Sequence, residues 1–209
     1  MNRKDEILRH YEPRINAGLE NYEVLDWASQ DSQEARFSVL VKSVDLSGLS
    51  LLDIGCGLGD LLDFLTSRSI SINYTGVDIS EKMLAAAQKR HPDTRFVCGD
   101  LFSDTPQATA QFPDDSYDIV FCSGALNLNL GNNALFLPKA VASMRRLARK
   151  CLVFNLLHMS TPDHSGRYAS YDPATVLSNI QSPNWQDRLV EGYLPNDFTI
   201  ICSRLPNDR

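Results

Sequence analysis

Gly55, Gly57 and Gly59 crowd into five positions between two aspartates, Asp53 and Asp60, in the stretch LLDIGCGLGD. Two further aspartates close apolar runs: Asp78 in TGVDIS, 23 residues after Gly55, and Asp100 in FVCGDLF. Glycine loses more backbone freedom on folding than any other residue, so a cluster of it marks a main-chain path that side chains would obstruct. A carboxylate beyond the next strand can accept hydrogen bonds from both hydroxyls of a ribose. The helix that opens near Asp60 aims its N–H groups and positive end at whatever lies over the glycines.

Two ligand classes use such a turn. The dinucleotide fingerprint is GxGxxG. Here the third glycine comes one residue early, and Asp60 stands where that fingerprint wants glycine or alanine. An acid at the helix mouth repels a pyrophosphate, which argues against a nicotinamide oxidoreductase. Three acids on one rim (Asp53, Asp78 and Asp100) suit a ligand with a sulfonium, an ammonium, two ribose hydroxyls and an exocyclic amine. S-adenosylmethionine carries all of these. The plainer reading of Asp78 is an aspartate bonded to its own loop.

The elements that must position these residues alternate. Apolar strands are expected at LSLLDI, INYTGVDI, TRFVCGD, YDIVFCS and CLVFNLL. Helices are expected at DLLDFLTSR, at SEKMLAAAQKRH with Ser80 as cap, and at LPKAVASMRRLARK with Pro138 in the first turn. That order predicts parallel βαβ units with helices covering both faces. Residues 1–20 read as a polar helix, and 31–44 as a second helix capped by Asp31 or Ser32. After a polar stretch at 158–171, DPATVLSNI reads as a short helix. WQDRLVEGY and FTIICSR then read as an antiparallel hairpin joined by LPND. The expected fold is α/β: a doubly wound, mostly parallel, seven-stranded sheet in one domain. Residues 1–47 would form a helical cap, 48–157 the core, and 158–209 a lid loop, helix and hairpin.

Composition narrows the classes. The chain has 209 residues, 43% hydrophobic and 22% charged, with a net charge of −6. That argues against a dominant grip on nucleic acid. The one dense basic run, RRLARK at 145–150, reads as the last turn of a helix, where cations suit the dipole. Five scattered cysteines without a CxxC pair read as small buried thiols in a reducing compartment, not as a disulfide framework or zinc site. No metal cluster is visible. With no signal-like or membrane-length apolar run, a cytoplasmic protein is expected, as a monomer or homodimer.

The sequence resembles the class I S-adenosylmethionine-dependent methyltransferases. LLDIGCGLGD looks like their glycine-rich first motif, TGVDIS like their second, FVCGDLF like their third and DIVFCSGAL like their fourth, over about residues 48–157. The resemblance implies that the Gly55 and Gly57 backbone lines the methionine part and that Asp53 reaches its amino group. Asp78 would hold the ribose, with Ile79 packed on the adenine. Asp100 would accept from the adenine amine, the Leu101 amide would face a ring nitrogen, and Ser123 would border the methyl region. For the methionine carboxylate, Arg36 is the candidate cation, against a surface arginine or a salt bridge to a rim acid.

Methyl transfer is an in-line displacement from a sulfonium, so the protein must align acceptor and methyl and exclude water. A base is needed only for an acceptor that holds its proton tightly. His158 is the candidate base, followed by His164, Tyr168 and Tyr171; the alternative is that His158 satisfies a loop carbonyl and the tyrosines pack. Asn127 and Asn129 stand where they can touch an acceptor. The asparagine-proline-proline-aromatic signature of many nucleic-acid amino methyltransferases is absent there. A small-molecule acceptor is expected. The competing functional reading is an S-adenosylmethionine-binding sensor or partner module without turnover.

Overall fold

The computed structural model describes residues 2–15, 17–103, 111–160 and 165–206. Two compact units divide at Asp100 and Leu101.

In the first unit, α1 (Arg3–Tyr11) starts at Asn2, whose side chain accepts from the Asp5 N–H. Pro13 ends it in a 3₁₀ turn, Glu12–Arg14, so the single helix expected over 1–20 is shorter and broken. The short α2 (Asn21–Val24) precedes α3 (Gln30–Ser43), which is capped by Ser29, two or three residues ahead of the caps expected from sequence. Then come β1 (Ser50–Ile54), α4 (Asp60–Ser67), β2 (Asn73–Asp78), α5 (Glu81–Arg90) and β3 (Arg95–Cys98). Ser80 caps α5 as expected. β1 and β3 flank β2, both parallel to it, with Asp53 opposite Gly76 and Asp78 opposite Cys98. Leu51, Leu52, Phe64, Leu65, Val77 and Ala87 fill the core. Burial of residues on both faces of β1 explains its unbroken apolar run.

The second unit contains β4 (Tyr117–Cys122), α6 (Asn133–Leu147), β5 (Ala148–His158), β6 (Ser170–Tyr171), α7 (Pro173–Ile180), β7 (Trp185–Val190) and β8 (Asp197–Arg204). β5 runs parallel to β4 and to the tip of β6, and antiparallel to β8, which pairs with β7 as the expected hairpin. The fold class is α/β, mostly parallel with antiparallel strands at one edge. Among the described residues there are eight strands rather than seven, because the two-residue β6 joins the end of β5.

Two expectations fail here. Pro138 lies inside α6, which begins at Asn133, instead of in its first turn. The basic run is split: Arg145 and Arg146 end α6, but Arg149 and Lys150 begin β5 and pair with Asp118 on β4. Arg145 is buried against Asp187, the Ile180 carbonyl and Cys202. Its charge holds α6 to α7 and the hairpin. Cys56, Cys122, Cys151 and Cys202 are buried, whereas Cys98 is exposed because β3 is the edge strand of the first unit.

Candidate functional site

The glycine turn is stitched to the end of β2. The Gly55 and Cys56 N–H groups both donate to the Val77 carbonyl, at 2.8 and 3.1 Å. The Gly57 N–H donates to Asp78 Oδ2 at 3.0 Å, and the Ser80 N–H to Oδ1 at 2.9 Å. The Gly99 N–H donates to the Asp78 carbonyl at 3.0 Å, which brings the chain leading to Asp100 against the same residue. Burial pushes the Asp78 carboxyl up, while the N–H groups of Ser80, Gly57 and Ile79 hold it down. An ionised carboxylate has about four acceptor positions, so acceptor capacity remains for a ligand's hydroxyls.

The glycines answer first to backbone geometry. Gly57 and Gly59 have φ of +54° and +82°, the left-handed region. A Cβ on Gly57 would lie 2.6 Å from Leu25 Cδ2. Sequence reasoning had given that space to a ligand; in this structure the nearest atom to it belongs to the chain's own N-terminal segment. That segment is fastened along the rim. Glu12 accepts from the Ser80 hydroxyl at 3.0 Å and pairs with Lys82 at 2.8 Å. Tyr11, Ile15 and Leu25 pack on Val24, Leu58 and Met83. Arg14 donates to the Glu23 carbonyl and, with His10, engages Asp26.

Asp53 is only 4% exposed and accepts from the Tyr74 hydroxyl at 2.6 Å. Burial drives its carboxyl up to about 7; the Tyr74 hydroxyl opposes this, and the charges of Asp78 and Asp60 add to it. Asp60, at the mouth of α4, accepts from Asn21 at 2.9 Å, Gln33 at 3.1 Å and Arg90 at 2.7 Å. Arg90 also holds the Leu58 carbonyl at 2.6 Å, so the α5 side of the unit supports the glycine turn. The Cys56 thiol is pushed far up by burial and by Asp78 and Asp53, which makes it inert. Arg36 is 4% exposed; its guanidinium donates to the Ser32 carbonyl and lies 4.2 Å over the Trp27 ring. These contacts are with its own helix and the residues just before it.

In the second unit Leu101 is buried. Ser123 follows β4, and Asn155, in the middle of β5, orients it. The Asn155 Oδ1 accepts from the Gly124 N–H at 3.0 Å, which can only donate. The Asn155 amide must therefore present its Nδ2 to Ser123 Oγ, 3.0 Å away. Ser123 accepts there, and its own proton is directed elsewhere. Sequence reasoning missed Asn155, although one asparagine inside the apolar run CLVFNLL is a visible signal. The loop continues with the Asn127 N–H donating to the Gly124 carbonyl at 3.1 Å. Residues 165–169 run beside it: Asn129 donates to Arg167, and Ala169 to Asn127, each at 2.8 Å between backbones.

Both ring nitrogens of His158 are engaged. Nδ1 accepts from the Ser160 N–H at 2.9 Å, which leaves Nε2 to carry the proton toward Glu191 at 3.2 Å. As placed, the ring offers no nitrogen to take a proton from a substrate. Tyr171 donates to the Leu126 carbonyl at 2.9 Å and so serves the loop; Tyr168 bridges to Leu128. His164 lies outside the described residues. Among the described residues no cluster of His, Cys, Asp and Glu is placed to hold a metal, and no helix is long and apolar enough to cross a membrane.

Parallel strands with a glycine turn and acids at their carboxyl ends define a class: α/β domains that take a ligand at that edge. Within it, residues 51–151 match the family described as a methyltransferase domain. A trans-aconitate 2-methyltransferase of Delftia acidovorans is 30% identical over 94 residues, 45% of this chain and 33% of that one. A phthiotriol/phenolphthiotriol dimycocerosates methyltransferase of Mycobacterium tuberculosis is 28% identical over 134 residues, 54% of this chain and 47% of that one. The chain thus spans a third to about half the length of these curated relatives. Among solved structures, the PH0226 protein of Pyrococcus horikoshii superposes with a TM-score of 0.67 at 15% identity, covering 96% of this chain and 99% of that one. An S-adenosylmethionine-dependent methyltransferase of Clostridium acetobutylicum gives 0.60 at 12%, covering 97% and 99%. The [4+2]-cyclase SpnF gives 0.64 at 14%, covering 95% and 94%. These likenesses show the fold.

Proposed function

We propose that the protein is an S-adenosylmethionine-dependent methyltransferase acting on a small-molecule acceptor. The observation that carries this reading is the 3.0 Å bond from the Gly57 N–H to Asp78, which locks the glycine turn to the second-strand acid within the matched segment. The donor set fits the cofactor. Burial lifts Asp53, and the carboxylates of Asp78 and Asp60 lift it further, so a positive charge placed among them is stabilised and a diphosphate is not. When bound, the cofactor supplies an electrophilic methyl group on a sulfonium.

The chain's residues have the remaining tasks. Asp78 offers its spare acceptor positions to the ribose, with Ile79 beside it on the adenine. Asp100, next to Gly99, accepts from the adenine amine. The Gly55 and Gly57 backbone and Asp53 serve the methionine end. Leu101 and Ser123 keep the adenine and methyl-side roles that the resemblance implies. Arg36, buried with its guanidinium on the Ser32 carbonyl and over Trp27, stays the candidate cation for the methionine carboxylate, beside backbone donors at the start of α4. His158 is left to Glu191, and the reading favours an acceptor that needs no strong base.

Incubation with radiolabelled S-adenosylmethionine and a pool of small metabolites tests the reading. Label transferred to a product identified by mass spectrometry is expected. Tight cofactor binding with no labelled product from any pool would favour the sensor module instead.

A further inference from the structure

A pocket of about 340 Å³ opens between α3 and α4, entirely within the first unit. α3 presents to it a stripe at i, i+3, i+4 and i+7, from Gln30 to Phe37, and α4 does the same from Asp60 to Ser67. Phe37 and Phe64 give it apolar surface, edge to face with ring centres 5.4 Å apart. Four carboxylates line it (Glu20, Glu34, Asp60 and Asp63) against one lining cation, Arg90. Arg90 is already shared between Asp60 and Asp63, and Arg68 reaches Glu34 only at 3.4 Å. Negative charge is left over.

Gln33 says what else is wanted there. It lines the pocket, is 4% exposed, and donates from Nε2 to Asp60 Oδ2 at 3.1 Å. An ionised carboxylate can only accept, so the amide cannot be turned round. Its Oε1 is left as an acceptor that meets no donor among the described residues. Buried amides rarely leave that capacity unused. A bare metal ion has no proton to offer Oε1, and among the described residues no group of His, Cys, Asp and Glu could hold one. An alkylammonium brings positive charge, three N–H donors and a methylene body for the rings. Arg68 already lies 3.5 Å over the Phe64 ring, so this corner holds a cation on aromatic surface.

We propose that the groove between α3 and α4 binds a small linear aliphatic diamine. One ammonium donates to Gln33 Oε1 beside Asp60, the other meets Glu34, and the methylenes lie on Phe37 and Phe64. A volume near the lower end for ligand pockets suits one such molecule. The site goes beyond the methyltransferase reading and stands without it, whichever ligand the glycine turn takes.

Calorimetric titration of the whole chain with 1,4-diaminobutane tests this, at about 0.15 M salt, where exposed charges are screened. The comparison probes are n-butylamine, sodium butyrate and magnesium chloride. One saturable equivalent of diamine is expected, with n-butylamine about fivefold weaker and no binding of butyrate. Gln33→Leu should weaken the diamine about tenfold, by removing a hydrogen bond to a charged group. Glu34→Gln should weaken it about fivefold at unchanged shape. The Glu34 side chain is 33% exposed, so this variant keeps the fold and decides the matter if Gln33→Leu does not fold. Equal affinity for n-butylamine would assign the pocket to a single ammonium, such as a lysine side chain, and overturn the proposal. So would diamine binding that Glu34→Gln or a folded Gln33→Leu leaves unweakened, magnesium binding that these variants weaken, or no diamine binding at all.

Discussion

The glycine turn of the first unit and the loop after β4 in the second treat polar groups in opposite ways. At the turn nearly every acid has a donor of its own. Asp78 has Gly57 and Ser80, Asp53 has Tyr74, and Asp60 has Arg90, Asn21 and Gln33. The strain there is electrostatic: carboxylates buried close together, with Asp53 pushed up to about 7. In the second loop there is no charge to relieve, and an amide oxygen is left unpaired. The first arrangement concentrates negative charge, and the second leaves a neutral acceptor unpaired.

Substitutions can break that contrast, beginning with the largest expected effect. Asp78→Ala strips two buried N–H groups of their acceptor and removes the ribose contact. It should weaken S-adenosylhomocysteine by roughly 2–3 kcal/mol, about 30–150-fold in a calorimetric titration. Unchanged affinity would remove Asp78 from the site. Asp53→Asn is expected to stabilise the protein at pH 8. The folded carboxyl is raised above its unfolded value, so its contribution is complete below about pH 4 and is lost as pH rises toward 7, at about 1.4 kcal/mol per pH unit. Melting temperatures of variant and wild type should diverge across that window and run parallel above it. Parallel curves throughout would mean Asp53 is an ordinary carboxylate.

Gly57→Ala forces a left-handed residue against Leu25 and should cost about 1–2 kcal/mol from the backbone alone. Adding Leu25→Ala should recover the steric part; no recovery in that double-mutant cycle would show that Leu25 does not set the clearance. His158→Ala should have the smallest effect. It loses a partly exposed pair with Glu191, worth about 0–1 kcal/mol, and should leave S-adenosylhomocysteine affinity and methyl-transfer rate nearly unchanged. A rate loss of about 100-fold or more with affinity preserved would make it the base after all.

The sequence carried the α/β order and the acids at the strand ends, because apolar runs, caps such as Ser80 and glycine spacing are local signals. It misplaced what depends on distant partners. Arg149 and Lys150 read as the end of a helix, yet they begin β5 because Asp118 on the neighbouring strand receives them. Asp60 reads as a bare acid at a helix mouth, but Arg90, thirty positions on, ties it down. The turn glycines read as room for a ligand, whereas φ and Leu25 account for Gly57. Asn155 was missed because its importance lies in two bonds across the β4–β5 edge, to Ser123 and Gly124, which no spacing announces.

The central claim is that the rim around Asp78 grips an adenosyl sulfonium rather than a dinucleotide. Calorimetry of the wild-type chain with S-adenosylmethionine, S-adenosylhomocysteine and NAD measures it most directly. Saturable binding of the first two and none of NAD is the expected result; binding of NAD with neither of the others would contradict it.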